Sequence, residues 1–257
     1  MNDDTDERTP WSRLGGGLHI GPRYFERRGL VRSDAAPRGL VDRLTDLAND
    51  EDVADVPAPV AAFFLDTAAL ELRIDPAFRL PLRPIVALVF LFARLFGQFV
   101  QPTRPARIST RVFAIDRARD GRADARAVVR TYPSGGPMQV VAYATARVRG
   151  VRLMSAVFPL PIGHLVGLLR LEIARGEGGR FTCARLTTAR RTSSDPTGVW
   201  LSIAGVRVPL PLRESLCLST PEGATPELPG ATILGEHDQW LFGVRVVRYR
   251  YWFRPQP

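Results

Sequence analysis

The stretch VRYRYWFR, residues 247–254, decides the fold of this chain. Its apolar members Val247, Tyr249, Tyr251 and Phe253 alternate with three arginines and one tryptophan. A repeat of two residues is typical of a β-strand that buries one face. The stretch therefore predicts an antiparallel sheet with an apolar inner face and an outer face that carries arginine.

The same alternation recurs throughout the part of the chain that follows Arg107. Turn sequences rich in glycine, proline and aspartate separate the alternating stretches, and short connections favour antiparallel pairing. The predicted strands are Ile108–Ile115, Ala123–Tyr132, Val140–Val148, Val151–Phe158, Leu168–Ala174, Phe181–Thr188, Val199–Ala204, Ser215–Ser219 and Ile233–Phe253, the last with a break.

Apolar segments with helical character come before these strands. One runs from Pro57 to about Leu65, and a second, apolar almost all round, runs from Pro84 to about Val100. The second helix would be buried against the sheet or lie on a membrane. We therefore expect an α+β fold: N-terminal helices followed by a mostly antiparallel, curved β-sheet, partly closed like a barrel and packed on an apolar helix.

The sequence divides into three parts. Residues 1–36 hold acidic clusters and glycines with little periodicity, which predicts a poorly ordered extension. Residues 37–55 combine helical spacing with acidic side chains, which predicts a short helix and a linker. Residues 56–257 are expected to form a single α+β domain, with helices at 57–100 and the β-rich part at 105–254.

The charge is uneven along the chain. All 35 basic residues are arginines, and the net charge is +9. Residues 1–60 carry 12 acidic side chains and 8 arginines, whereas residues 61–257 carry 14 and 27, so the body is strongly basic. A basic body suits an anionic partner, although a GC-rich genome also favours arginine codons. Nucleic acid is disfavoured, because only Trp252 supplies an aromatic ring among these arginines.

Three features favour a cytoplasmic protein. Cys183 and Cys217 match no metal spacing and lie in apolar stretches, so buried free thiols in a reducing compartment are preferred over a single disulfide. The N-terminus lacks the basic start and apolar core of a signal peptide. The uncharged apolar run at 84–93 is shorter than the roughly 20 residues that span a bilayer. Contact with an anionic membrane surface remains a further option for a cytoplasmic protein of this charge.

Catalytic motifs are weak in this sequence. Glu236, His237 and Asp238 are adjacent, and a carboxylate beside an imidazole can tune its pKa or hold a metal. In a strand, however, Glu236 and Asp238 would share one face without His237. The sequence contains no G-x-S-x-G elbow, P-loop or G-x-G-x-x-G. We therefore expect no metal and no cofactor, and only a weak catalytic candidate at 236–238.

A hydrophobic pocket is the stronger expectation. An apolar cavity between a helix and a curved sheet suits an amphipathic ligand, although a filled core is the simpler alternative. The residues expected to line its apolar side are Phe90, Phe96, Tyr249 and Tyr251, and those expected to hold an anionic end are Arg248 and Arg250. Tyr249 and Arg250 face opposite ways along one strand, so one pocket takes both only where the strand bends.

The C-terminal third resembles a bacterial family of proteins, the domain of unknown function numbered 4166. The resemblance lies in GVRVPLPL at 205–212 and LFGVRVVRYRYW at 241–252. Tyr251 departs from the family pattern, which has a glycine there. The resemblance implies a β-rich fold and supplies no catalytic residues.

Together these patterns favour a soluble, non-enzymatic protein that binds a lipid-like or other amphipathic anionic small molecule. One alternative is an enzyme with a site near Glu236, His237 and Asp238. Another is a structural or interaction module that uses residues 1–55 as a partner-binding arm. The sequence leaves the oligomeric state open.

Overall fold

The computed structural model describes residues 7–17, 19–78, 91 and 93–256. The α-helices with both ends described are α1 (Tyr24–Arg27), α2 (Ala58–Leu65) and α3 (Arg117–Asp120), and residues 91 and 93–96 are also helical. The strands, in chain order, are β1 (Leu70–Phe78), β2 (Ala106–Ala114), β3 (Arg126–Thr131), β4 (Pro137–Val148), β5 (Val151–Pro159), β6 (His164–Arg175), β7 (Phe181–Thr187), β8 (Gly198–Ile203), β9 (Val206–Leu210), β10 (Leu212–Ser219), β11 (Ile233–Leu241) and β12 (Val244–Pro255).

Ten of these described strands close into an antiparallel barrel. Their order is β5-β4-β3-β2-β1-β12-β11-β10-β7-β6, and β6 pairs again with β5. The remaining two, β8 and β9, form a hairpin that pairs with the first half of β6, from His164 to Leu168. Closure leaves the barrel with no free edge, which stabilises a sheet of this size.

The expected α+β class is therefore wrong, although the antiparallel pairing is confirmed. The described chain is mostly β, and its helices are short. Alternation reveals the two faces of each strand but not the long-range pairs that close a barrel. Here closure depends on β1 pairing with β12, which joins Leu70 to Pro255 across most of the chain.

The segment from Pro37 to Ala48 was expected to be helical but contains only a single 3₁₀ turn, Leu44–Asp46. The backbone N–H groups of Leu40 and Val41 donate to the carbonyl of Phe64 in α2 instead of to helical carbonyls. Gly39 permits this close crossing, since a Cβ there would lie 2.3 Å from the same carbonyl oxygen. The helical spacing of the apolar residues here reflects their burial against α2. The helix α2 itself lies where the sequence predicted one, from Pro57 to about Leu65.

Residues 38–66 cover one end of the barrel, which we call the lower end. The ring of Phe63 in α2 packs edge-on to Phe253, with centroids 5.3 Å apart. Arg152, at the start of β5, donates to the carbonyls of Thr45 and Ala48. The turns at 132–136, 160–163, 204–205 and 242–243 lie at the opposite, upper end, as the strand directions require.

The N-terminal part, which was expected to be poorly ordered, packs on the outer face of β3 to β6 wherever it is described. It buries Leu14, Ile20, Tyr24, Phe25 and Leu30 against the outward-facing residues of those strands. Met1 to Asp6 and Leu18 lie outside the described residues. Much of residues 1–36 therefore belongs to the folded body and is not a free arm.

A fully buried ion pair anchors this N-terminal part. Arg122 binds Asp120 through Nε and Nη2, at 2.7 and 3.1 Å, and also donates to the carbonyls of Ala142 and Ser155. Ser12 donates its hydroxyl to the same aspartate. Because every charged atom of the pair is bonded, its removal from water is offset by these contacts.

Cys183 and Cys217 form a disulfide between the neighbouring strands β7 and β10. The preference for free thiols is therefore wrong. Alternation placed both cysteines on strands but could not show that those strands are neighbours. The argument for a reducing compartment loses its basis with this bond.

Candidate functional site

The barrel interior is largely apolar but contains one polar cluster. Inward positions alternate along each strand, so that Leu216, His237 and Tyr249 lie side by side on β10, β11 and β12. The cluster consists of Arg130, Tyr143, Glu214, His237 and Tyr251, and we call it the lumen cluster. Its tyrosines pack against the main hydrophobic core, which runs from Phe63 at the lower end to Phe158 and Val247 near the upper end.

His237 is the centre of the lumen cluster. Its Nδ1 lies 3.0 Å from the hydroxyl of Tyr251, and its Nε2 lies 3.2 Å from Oε2 of Glu214. A carboxylate oxygen accepts, so Nε2–H donates to Glu214 and Nδ1 accepts from the Tyr251 hydroxyl. The three side chains thus form a chain of hydrogen bonds that holds the imidazole in one orientation.

Two inward-facing glycines make room for this chain. A Cβ on Gly235 would lie 3.0 Å from the ring of Tyr251, its cross-strand neighbour. A Cβ on Gly167, in β6, would lie 3.1 Å from Oε1 of Glu214. Glycine inside a strand often marks such a close approach, and here it lets large polar side chains enter the interior.

Arg130 supplies a positive charge inside the barrel. It lies on β3 opposite Gln139 and donates to the side-chain oxygen of that residue at 2.8 Å. Its Nε is buried and has no hydrogen-bond partner among the described residues. A buried donor without a partner costs free energy, so a ligand that accepts from Arg130 would recover it.

The pKa values of the interior tyrosines depend on burial and on the charge of Arg130. Burial raises the pKa of Tyr143, and the positive charge of Arg130 partly opposes the rise. Burial likewise raises the pKa of Tyr251 well above its usual range, helped by Tyr249 and again opposed by Arg130. Nearer the upper end, burial raises the pKa of Tyr132 to about 12. These phenols therefore stay protonated at neutral pH, and those of Tyr132 and Tyr251 donate to the Val100 carbonyl and to His237.

The interior keeps accessible surface around the lumen cluster. The side chains of His237 and Glu214 are 17% and 16% exposed, although both point into the barrel. Tyr143 and Tyr251 are also only partly buried. The polar atoms of the lumen cluster are therefore not completely enclosed by the core.

The predicted ligand residues are divided between inside and outside. Tyr249 and Tyr251 face the interior, as expected, whereas Arg248 and Arg250 face outward on the same strand. Arg248 binds both carboxylate oxygens of Asp238, at 2.8 and 2.6 Å, on the outer surface. The expectation that these arginines share a pocket with Tyr249 is therefore wrong, because β12 does not bend enough to turn them inward.

Two further predicted residues belong to the apolar segment before β2. Phe90 lies outside the described residues. Phe96 is partly buried at the upper end, where its carbonyl accepts from the N–H of Ile20. Phe99, in the same segment, packs against Phe158 of the barrel with ring centroids 4.9 Å apart.

The weak catalytic candidates are also separated. His237 faces inward, while Glu236 and Asp238 face outward opposite Arg250 and Arg248. The carboxylate that contacts His237 is Glu214, from the neighbouring strand β10. Within the described ranges, no group of three or more His, Cys, Asp or Glu side chains could hold a metal ion.

Sequence reasoning missed Arg130, Tyr143 and Glu214. A signal was available for Glu214, because Leu212, Glu214, Leu216 and Leu218 alternate and place the carboxylate on an apolar face. Alternation could not show which of the predicted strands would bring these residues to His237.

Comparison with known proteins gives one distant relative. The chain is 24% identical over 252 residues to the uncharacterized membrane protein YndJ of Bacillus subtilis strain 168. The match covers 96% of the chain and 44% of the relative, so the chain spans less than half of that protein's length. No family model matches the chain, and no solved structure matches it.

This comparison contradicts the expected cytoplasmic location, because the relative is named as a membrane protein. Within the part of the chain that the structure describes, no helix has both the length and the apolar character to cross a bilayer.

Proposed function

We propose that the barrel binds an amphipathic anionic small molecule in its interior, with the anionic group at Arg130. The observation that carries this proposal is a cation with an unpartnered, buried Nε on the inner face of the barrel, beside the polar side chains of the lumen cluster. The resemblance to family 4166 stays a hypothesis and supplies no ligand.

The apolar part of such a ligand would lie against aromatic and aliphatic walls. The partly buried residues that pack against the main core include Phe99, Tyr132, Leu165, Leu216 and Tyr251. Burial of apolar surface contributes about 25 cal/mol per Å², so a chain of eight to twelve carbons would gain several kcal/mol. A ligand with a lipid-like tail therefore suits this interior.

The anionic group of the ligand would bind Arg130 and lie near the interior phenols. Arginine binds carboxylate and phosphate with two parallel hydrogen bonds, and it stays charged inside a protein. Tyr143 and Tyr251 lie within the electrostatic reach of Arg130 and keep their protons. The carboxylate of Glu214 accepts a hydrogen bond from His237. Arg130 is then available to an anionic ligand.

The relative's name is consistent with a lipid-related ligand. YndJ is named a membrane protein, and a protein at a membrane meets amphipathic molecules. This agreement supports the ligand class without selecting a ligand.

Equilibrium binding of dodecanoate, with dodecanol as its uncharged counterpart, tests the proposal. Replacement R130M keeps an apolar stem but removes the charge, and R250M makes the same change on the outer face of β12. We expect R130M to weaken dodecanoate binding at least tenfold and to leave dodecanol binding within about twofold, since one charged hydrogen-bonded contact is worth about 1.5–3 kcal/mol. Equal effects of R130M and R250M would contradict an interior anion site.

Catalysis is the second candidate, and the Tyr251–His237–Glu214 contacts favour it. An imidazole held by a carboxylate can act as a general base, and here its accepting Nδ1 faces the hydroxyl of Tyr251. A panel of p-nitrophenyl acyl esters, with chains of two to twelve carbons, provides the assay. Turnover that H237Q abolishes while the protein stays folded would support an enzyme, and absence of turnover for every ester would leave binding as the function.

A further inference from the structure

The upper end of the barrel carries an unusual share of exposed apolar side chains. Nine large apolar side chains are exposed among the described residues, and only Leu65 lies at the lower end. The most exposed members of the upper group are Phe242, Ile162, Val206 and Leu95, which are 61–77% exposed. Scattered single apolar residues are ordinary on a protein surface, but a set confined to one end is not.

These residues belong to turns and connections that contact one another. Phe242 donates its backbone N–H to the carbonyl of Pro211, which links the β11–β12 turn to the β9–β10 connection. Gly163, next to Ile162, lies so close to the β8–β9 hairpin that a Cβ would be 2.0 Å from the carbonyl oxygen of Ser202.

The connection before β2 joins the same surface. Gln98, which follows Leu95 by three residues, donates to the carbonyls of Val140 and Pro159. Pro159 is the last residue of β5 and directly precedes the turn that contains Ile162. The exposed apolar residues therefore follow an arc around the upper end, which we call the upper rim.

The charge of the upper rim has a single sign. The described segments that form it are 91 and 93–105, 132–140, 159–165, 198–213 and 239–247. They contain five arginines and no aspartate or glutamate. Two of these arginines lie over indole rings: Arg213 is 4.3 Å from Trp240, and Arg207 is 4.2 Å from Trp11.

The lower end is less basic than the upper rim. Residues 38–66, which cover it, contain seven acidic residues and two arginines. Five of the seven acidic side chains pair with arginines, so their charges are largely neutralised within the protein. A negatively charged surface would therefore attract the upper rim more strongly than the lower end.

We propose that the upper rim docks on an anionic lipid bilayer. Phe242, Ile162, Val206 and Leu95 enter the interface between headgroups and acyl chains, and Arg94 and Arg207 contact lipid phosphates. Apolar insertion together with basic residues is the combination that gives stable association with anionic membranes. A protein partner would need to be both acidic and apolar, whereas an anionic bilayer supplies both properties over its whole surface.

The test is flotation with vesicles of phosphatidylcholine alone or mixed with phosphatidylglycerol. We expect binding to the mixed vesicles and at least tenfold weaker binding to phosphatidylcholine, with a loss of affinity as salt rises from about 0.05 to 0.5 M, because salt screens the arginines. The triple replacement F242S/I162S/L95S should weaken binding to mixed vesicles at least tenfold. The control L65S changes an exposed leucine at the lower end and should bind like the original chain.

Three results would overturn the proposal: equal binding to neutral and anionic vesicles, unchanged binding of the triple variant, or an equal loss with L65S. Circular dichroism establishes that each variant is folded. Docking does not rest on a ligand inside the barrel, so the triple variant should still bind monomeric dodecanoate. Loss of dodecanoate binding with R130M tests the interior site alone, which keeps the two proposals separable.

Discussion

His237 Nε2 lies 3.2 Å from Glu214 Oε2 in the barrel interior, although the two residues belong to different strands. The contact fixes the imidazole so that its other nitrogen meets the hydroxyl of Tyr251 at 3.0 Å. The orientation of this imidazole is therefore fixed by Glu214, from the neighbouring strand. The side chains of the adjacent residues Glu236 and Asp238 face outward and do not contact it.

Replacement of Glu214 by leucine should destabilise the fold. His237 would lose the acceptor of its Nε2–H in a largely apolar interior, which costs about 1–3 kcal/mol in the free energy of unfolding. Urea denaturation measures the change. The matched replacement E236L, on the exposed face, should cost less than about 0.5 kcal/mol. Equal costs for the two variants would show that the interior contact has no special role.

Breaking the buried ion pair between Arg122 and Asp120 should lower the free energy of unfolding more than the replacement of Glu214. Replacement D120N leaves the fully buried guanidinium without its charge partner, and breaking such a pair costs about 3–5 kcal/mol. The control D34N breaks an ion pair with Arg32 that lies on the surface, so it should leave the denaturation midpoint close to that of the original chain. Unchanged stability of D120N would contradict the role of the pair as an anchor for the N-terminal part.

Loss of the disulfide should lower stability without changing the fold. The bond closes a loop between residues 34 positions apart, and a loop of that length is worth about 3–4 kcal/mol in the chain-entropy model. We expect the double replacement C183A/C217A to lose roughly that amount in urea denaturation under oxidising conditions. A reducing agent should destabilise the original chain and have no effect on the double variant. Insensitivity of both proteins to the reductant would show that the bond does not stabilise the chain.

Mild acid should destabilise the protein through His164. Burial lowers the pKa of this histidine, and the positive charge of Arg122 lowers it further. Protons therefore bind the unfolded chain more readily than the folded one as pH falls below about 6.5, the usual pKa of histidine. The free energy of unfolding is unaffected above that pH and falls below it, by at most about 1.4 kcal/mol per pH unit.

The replacement H164L should flatten this dependence between about pH 6.5 and 5. Thermal or urea unfolding across that range measures the slope. His19 is exposed, so H19Q serves as the control and should leave the slope unchanged. If H19Q removes the pH dependence and H164L does not, His164 is not its cause.

Much of the strand content could be predicted from the sequence, because alternation is a local property. The strand at Val151–Pro159 begins where the pattern predicted, and the apolar face of 247–254 does point inward. β9 was missed because Pro209 and Pro211 obscure its alternation. Proline is tolerated in β9, which is an edge strand paired only with β8.

The site could be predicted only in part, since it depends on contacts between distant strands. His237, Tyr249 and Tyr251 were singled out as site candidates, and the structure places all three in the interior. Arg248 and Arg250 were expected to form the anion site because arginines cluster there, but both face outward, and the arginine that we propose instead lies on another strand. Nothing local in the sequence around Arg130 distinguishes it from an exposed arginine.

Native mass spectrometry of the freshly purified chain, followed by solvent extraction of any bound molecule, is the most direct test of anion binding at Arg130. We expect a stoichiometric adduct that extracts as an amphipathic anion, is present on R250M and is absent from R130M. A clean apo mass for the original chain, also after incubation with dodecanoate, would contradict binding in the interior. An adduct that R130M retains would contradict the role of Arg130.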